Sequence, residues 1–313
     1  FHRKLCATRV LDPACGTGNF LYVALEQMKK LEGEVLEALV ELGGQEGLQW
    51  LASQTVDPHQ FLGIEKNSRA AAIAELVVWL GFLQWHFRTK GRDSFPPEPI
   101  LHDFKNIQCR DAVLDWDGWP VPKTAAPVAA PHPRIDSRHD VTGSGAGSNP
   151  LPVKNGERGQ ARVLPEAGKR HETYPNAKKP KWPEAEFIVG NPPFIGGKDV
   201  RAELGGDYTE TLWGVHKDIN DSADFVMYWW DRAASLLTAK GTKLRRFGFV
   251  TTNSITQVFS RRTVAKHLEA KKPVSLLLAI PDHPWTKATD DHASVRIAMT
   301  VAADFAATLA SAL

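Results

Sequence analysis

Between Arg9 and Ala302, short β-branched or aliphatic runs alternate with longer stretches whose apolar residues return every three or four positions. The short runs read as strands: Arg9-Val10-Leu11, Phe61-Leu62-Gly63-Ile64-Glu65, Ile107-Gln108-Cys109, Phe187-Ile188-Val189-Gly190, Phe247–Thr251, Val274–Ile280 and Val295–Ala302. The long ones read as helices. Leu21, Leu25, Met28, Leu31, Val35, Leu39 and Leu42 form one stripe, which Gly43-Gly44 ends. Asn67 caps a second helix, with Ile73, Leu76, Val77, Leu80 and Leu83 expected inward. A third runs from about Ser222 to Ala239 and carries Phe225, Tyr228, Trp229, Ala233 and Leu236; a fourth spans about Arg261–Ala270. This alternation predicts an α/β fold: a mostly parallel, doubly wound sheet covered on both faces, with ligands at the strands' carboxyl ends.

Residues 120–183 break the pattern. They are rich in Pro, Gly, Ala, Ser and basic residues, include Gly143-Ser144-Gly145-Ala146-Gly147-Ser148, and hold no sustained period. That composition predicts a disordered or loosely ordered insertion between a first half, 1–119, and a second half, 184–313. The formal charge of +2 conceals a split. Lys123–Trp182 carries 11 basic and 5 acidic residues, +6, which leaves 2 − 6 = −4 for the remainder. The folded part is thus not basic, and a nucleic-acid partner must find most of its phosphate contacts elsewhere. Cys6, Cys15 and Cys109 are too few and too scattered for a disulfide framework or a zinc site, and point to a reducing, cytoplasmic setting. No signal peptide is visible, no apolar run reads as a membrane span, and no metal is expected. The first residue is Phe1 and a strand follows about ten residues later, so the chain reads as a piece of a longer one.

The candidate chemistry lies in the loops after the strands. Asn191-Pro192-Pro193-Phe194 follows a buried run. Two consecutive prolines hold the chain extended, and they present an amide side chain, an outward carbonyl and an aromatic face. A base amino group can donate to the Asn191 oxygen and the Pro192 carbonyl while Phe194 stacks on its ring; the plain alternative is a proline-bracketed turn with Phe194 in the core. Gly16 and Gly18 let the backbone approach a ligand where strand turns into helix, and the helix beginning near Phe20 offers free N–H groups. Asp12 in front of them would repel a pyrophosphate but anchor an ammonium, which favours an amino acid-like ligand end over NAD or ATP. Glu65 is placed to accept from two ribose hydroxyls, and Asp111 to accept from an adenine amine; taken alone, each reads more readily as a solvated or loop carboxylate.

In order, Asp12-Pro13-Ala14-Cys15-Gly16-Thr17-Gly18-Asn19-Phe20-Leu21, Gly63-Ile64-Glu65, Cys109-Arg110-Asp111 and Ile188-Val189-Gly190-Asn191-Pro192-Pro193-Phe194 resemble the motif series of adenine-specific DNA methyltransferases. The likeness is strongest to those of fused restriction–modification and phage-defence enzymes. It implies a Rossmann-like class I methyltransferase fold with a terminal antiparallel strand, S-adenosylmethionine as cofactor, and DNA with a flipped-out target adenine as partner. Asp12, Pro13, Ala14, Gly16, Gly18, Asn19 and Phe20 would then hold the cofactor, with Asp12, Gly16 and Gly18 at its methionine end. Glu65 would take the ribose and Asp111 the adenine; Asn191, Pro192, Pro193 and Phe194 would hold the target base. The chain departs from that family in three ways. The helical motif before the first glycine loop is essentially missing, no target-recognition domain follows the last strand, and the insertion is unusual. Fused nuclease or recognition domains, or separate subunits, are therefore expected partners. Two other readings stay open: a protein-glutamine or RNA methyltransferase, and a non-catalytic subunit that binds cofactor or DNA.

Other features have plainer readings. Trp229-Trp230 and Phe225 read as core rather than as a stacking platform or a pocket wall, and Lys178-Lys179-Pro180-Lys181 as a solvated charge run. Asp282-His283-Pro284-Trp285 reads as a loop facing the target edge, and Asp290-Asp291-His292 matches no metal site.

Overall fold

The computed structural model describes residues 1–42, 55–91, 93, 105–118, 174–285 and 296–305. The strands are β1 (Val10–Asp12), β2 (Phe61–Glu65), β3 (Ile107–Cys109), β4 (Phe187–Gly190), β5 (Arg246–Thr252), β6 (Val274–Pro284) and β7 (Arg296–Asp304). They form one sheet in the order β3-β2-β1-β4-β5-β7-β6. The pairs from β3 through β5 are parallel, and β7 runs antiparallel to both β5 and β6. This is the mostly parallel sheet with an antiparallel strand that the sequence predicts, with β7 inserted between β5 and β6.

From β1 the chain winds outward to β3, then returns to place β4 beside β1. The strand order therefore reverses between β1 and β4, and a crevice opens at such a point beyond the strands' carboxyl ends. Asp12 ends β1 and Asn191 follows β4, so the two motifs that lie farthest apart in sequence flank this crevice.

Alternation along the strands builds two cores. Val10, Phe61, Phe187 and Val189 face one side, against Leu21 and Leu25 of α2 (Asn19–Glu41) and Ala74, Val78 and Phe82 of α3 (Ser68–Lys90). Leu11, Ile64, Ile188 and Phe247 face the other, against α6 (Met227–Leu237) and α7 (Val258–Leu268).

A helix of six residues, α1 (His2–Ala7), precedes β1 and is tied through His2 and Cys6 to Glu32 of α2, without lining the cofactor cleft. Several expectations are corrected. Ile73, Leu76 and Leu80 of α3 are exposed; the inward face is Ala71, Ala74, Val78 and Phe82. The reason is steric. α2 and α3 approach so closely that a Cβ on Gly18 would stand 3.1 Å from the Ala74 backbone, and one on Gly81 would lie 2.6 Å from the Tyr22 ring. Small residues must line that seam, and the larger ones rotate outward. On α2, Lys29 and Glu32 are buried while Leu31 is exposed, as is Leu42 just past its end. α3 is also long and apolar enough to cross a membrane by length and composition, unlike any run singled out in the sequence, yet its inner face packs on the sheet core. Two further helices, α4 (Val200–Leu204) and α5 (Gly206–Val215), follow the Asn191 loop without having been anticipated.

Most of the segment read as an insertion lies outside the described residues. Its last ten residues do not behave as an insertion. Lys178 bridges Asp115, the Trp182 indole N–H donates to Ala112 O at 2.7 Å, and Trp182 is buried in the core.

Candidate active site

Four loops converge at the carboxyl edge of β1, β2, β3 and β4. Asp12 is buried, and its Oδ1 accepts from Ala14 N at 3.0 Å. The next turn is fixed from above, because the Trp229 indole N–H donates to Pro13 O at 2.9 Å. Gly16 adopts φ +52° with open space where a Cβ would stand, which leaves that backbone accessible to a ligand. Gly18, at φ +87°, caps α2 from the left-handed region and packs on Ala74. Its missing side chain therefore serves the turn and the helix seam. Asn19 and Phe20 are exposed on the first turn of α2.

The Gly16 N–H donates to Glu65 Oε2 at 2.9 Å, and Asn67 N donates to Oε1 at 2.7 Å. Glu65 thus joins the first loop to the second, with a second lone pair on each oxygen still open. Burial pushes the Asp12 carboxyl up to about 7, against its one backbone hydrogen bond, and the Glu65 charge adds to the rise.

Asp111 is buried and its oxygens are divided between two tasks. Oδ1 accepts from Val113 N at 2.8 Å and Leu114 N at 3.1 Å, shaping its own loop. Oδ2 accepts from the Tyr208 hydroxyl at 2.8 Å and lies 3.4 Å from Lys66 Nζ. Burial, then the Asp111 charge, holds the Tyr208 phenol well above its ordinary range, so it stays a donor.

Between these groups lies a cleft of about 190 Å³. Pro13, Ala14, Glu65, Asp111 and Pro193 line it among the predicted site residues; Ile64, Lys66, Arg110, Ala112, Ile195, Leu204, Tyr208, Phe225 and Trp229 complete the wall. Phe225 and Trp229, read as core, are both core and cleft wall. Leu204 and Tyr208 were missed because nothing in the local pattern of Val200–Val215 marks it as part of a pocket, and Lys66 because a lysine just after β2 reads as solvated. Asp12, Gly16, Gly18, Asn191, Pro192 and Phe194 lie along the crevice but outside this cleft's walls.

Across the β1–β4 boundary, Asn191 Oδ1 is buried and has no hydrogen-bond partner. Five other side-chain atoms among the described residues share this state, the amide oxygen of Asn106 among them, so it is its place at the switch point that singles Asn191 out. Phe194 meets Trp285 edge-on, with ring centroids 6.4 Å apart. Trp285 follows β6, which runs through Asp282, His283 and Pro284; this stretch is thus largely strand rather than loop.

The family profile described as "MmeI, DNA-methyltransferase domain" matches residues 1–308. The chain belongs to that family. DNA methyltransferase A of Bacillus subtilis (strain 168) is 23% identical over 252 residues, which cover 80% of this chain and 21% of that protein. The solved structure of the Type IIL restriction–modification enzyme MmeI in complex with DNA has a TM-score of 0.60 at 23% identity, over 96% of this chain and 32% of that one. The fold is accordingly the Rossmann-like fold of class I methyltransferases, and the chain spans about a fifth and a third of these two relatives.

The remaining clusters serve structure. His2, Cys6 and Glu32 bring possible ligand atoms within 4.8 Å of one another. Lys29 Nζ already sits 2.7 Å from Glu32 Oε2, and Val56 N donates to Oε1, so the group ties α1 to α2. Lys179 pairs with Asp218 at 3.0 Å and Lys178 with Asp115 at 3.7 Å, and Pro180 between them and Trp182 is buried, so the basic run is tied to its neighbours rather than freely solvated. Asp290-Asp291-His292 lies outside the described residues.

Proposed function

We propose that this domain transfers a methyl group from S-adenosylmethionine to the exocyclic N6 of an adenine flipped out of DNA, within a larger cytoplasmic restriction–modification or phage-defence protein. The observation that carries the reading is the orphaned Oδ1 of Asn191 at the switch point. An amine N–H is the donor it lacks, and methyl transfer to nitrogen requires that amine to be held.

The donor set fits the cofactor. Asp12 is an anionic partner for the methionine ammonium beside the open face of Gly16, and Glu65 retains lone pairs for ribose hydroxyls. The apolar walls Ile64, Phe225 and Trp229 suit a purine, with Asp111 and Lys66 at its polar edge. S-adenosylmethionine supplies the electrophilic methyl when bound.

The rest is the chain's own work. Asn191 Oδ1 and the Pro192 carbonyl accept the two amine N–H bonds and draw the nitrogen lone pair out of conjugation with the ring. Phe194, with Trp285 at its edge, offers the aromatic surface on which the base stacks. No covalent intermediate is needed; positioning and electrostatics carry the rate. Target recognition falls outside residues 1–313 on this reading, since the sequence outside Lys123–Trp182 is net acidic and no element among the described residues suits a groove.

Tritium transfer from labelled cofactor by the full-length protein to plasmid DNA, RNA and release-factor protein in parallel tests the reading. Label on DNA adenine, lost in Asn191→Ala, is the expected result. Label on RNA or protein glutamine, or cofactor binding without turnover, overturns it.

A further inference from the structure

The loop that bears Asn191 has little means of holding itself. Pro192 and Pro193 have no backbone N–H, and the loop leaves the sheet where β4 stops at Gly190. β5 pairs with Gly190 through Phe249 and continues three residues farther, to Thr252. Its end therefore stands beside the loop as a post, and one carboxylate joins the two.

Asp224 Oδ1 accepts from Gly197 N at 3.2 Å. Its Oδ2 accepts from Thr252 Oγ1 at 2.8 Å and from the Ser254 hydroxyl. One residue on, Phe225 N donates to Ile195 O at 2.9 Å. Gly197 runs so close to Ser222 O that no side chain could stand between them. Three neutral donors from two separate segments thus meet on one carboxylate, whose roughly four lone-pair sites can accept them together.

We propose that Asp224 is a positioning residue for the base-amine acceptor: it fixes the Asn191–Gly197 loop against the end of β5, so that Asn191 meets the amine in a reactive geometry. It touches neither cofactor nor base. The proposal rests on the adenine methyltransferase reading above for its catalytic consequence, but not for its structural one. Asparagine retains one accepting oxygen of the pair and alanine retains none, so the effect should be graded.

The test uses Asp224→Ala and Asp224→Asn in the full-length protein. Hydrogen exchange should speed up in peptides covering 191–199 in Asp224→Ala and less in Asp224→Asn, with peptides from α2 and α3 unchanged. Single-turnover methyl transfer should fall about 100-fold in Asp224→Ala, the cost typical of a misplaced reacting group, and about tenfold in Asp224→Asn. Cofactor affinity by calorimetry should fall far less than transfer does, because Asp224 itself does not line the cleft and the loop contributes only Pro193 and Ile195 to its wall. Unchanged exchange in 191–199, or transfer by Asp224→Ala near the wild-type rate, overturns the proposal; so does loss of cofactor affinity in step with transfer. If the unmodified protein transfers no methyl to adenine, the functional reading fails, and the exchange data still decide whether Asp224 holds the loop.

Discussion

The backbone N–H of Gly16 donates to Oε2 of Glu65 across 2.9 Å, joining two loops that are 49 residues apart in sequence. Glu65 is therefore a brace as well as a candidate ribose acceptor. Glu65→Ala should weaken cofactor binding by at least about tenfold, losing a charge-assisted bond of roughly 1.5–3 kcal/mol. Asn191→Ala should change it by less than about threefold. Calorimetry on both variants checks the division; equal losses would show that cofactor and target share one site.

Asn191 should be expensive to keep and cheap to remove. A buried acceptor without a partner costs about 1–3 kcal/mol, and Asn191 Oδ1 is such an atom. Asn191→Ala is expected to abolish methyl transfer while leaving unfolding stability within about 1 kcal/mol of the parent, or above it. Denaturant unfolding with m held constant measures this. A loss of several kcal/mol would mean the side chain is a structural member.

Asp12 predicts a pH dependence. Its carboxyl is pushed up to about 7 in the fold, whereas an unfolded Asp titrates near 3.9. Between these values the folded chain holds a proton that the unfolded chain has released. Stability of the ligand-free protein should then fall as pH rises from about 4 to 7, and level off above that. An ammonium arriving beside Asp12 favours its ionised form, so cofactor affinity should rise from pH 6 to 8 with uptake of the ligand and release of up to one proton. Calorimetry in buffers of different ionisation enthalpy counts that proton; Asp12→Asn should abolish the pH dependence.

Deleting residues 124–171 and joining the ends with a short Gly/Ser linker should preserve the sheet, since that stretch has few regularly spaced apolar residues. Extending the deletion through Pro183 should not. It removes Trp182, which is 3% exposed and bonded to Ala112, and loss of a buried aromatic costs about 3–5 kcal/mol. Thermal unfolding of the two deletions separates the cases.

Residues 1–313 alone should fail to methylate DNA at a defined sequence. Outside Lys123–Trp182 the net charge is 2 − 6 = −4, which gives feeble attraction to phosphate. Mapping modified adenines after incubation with genomic DNA and cofactor checks this; one clean motif would place recognition inside the domain.

By itself the sequence determined the alternation of strands and helices, the parallel sheet and the loops bearing Asp12, Glu65, Asp111 and Asn191. Each depends on local chemistry: β-branched runs, glycines, a double proline, and carboxylates just after a strand. Tertiary structure decided the rest. Whether Ile73 or Ala74 faces inward on α3 depends on how closely α2 approaches, and an apolar stripe all round the helix cannot encode that. Tyr208, Lys66 and Asp224 carry no local signature, since their roles exist only where distant segments meet on one carboxylate. Trp182 sits in a proline- and lysine-rich stretch that reads as solvated, and it enters the core only through distant partners: its indole N–H donates to Ala112 O and its ring joins the cluster of Ala112, Val113 and Leu114 after β3. The orphaned Asn191 oxygen was likewise invisible in sequence: an amide's lack of a partner is a property of everything around it.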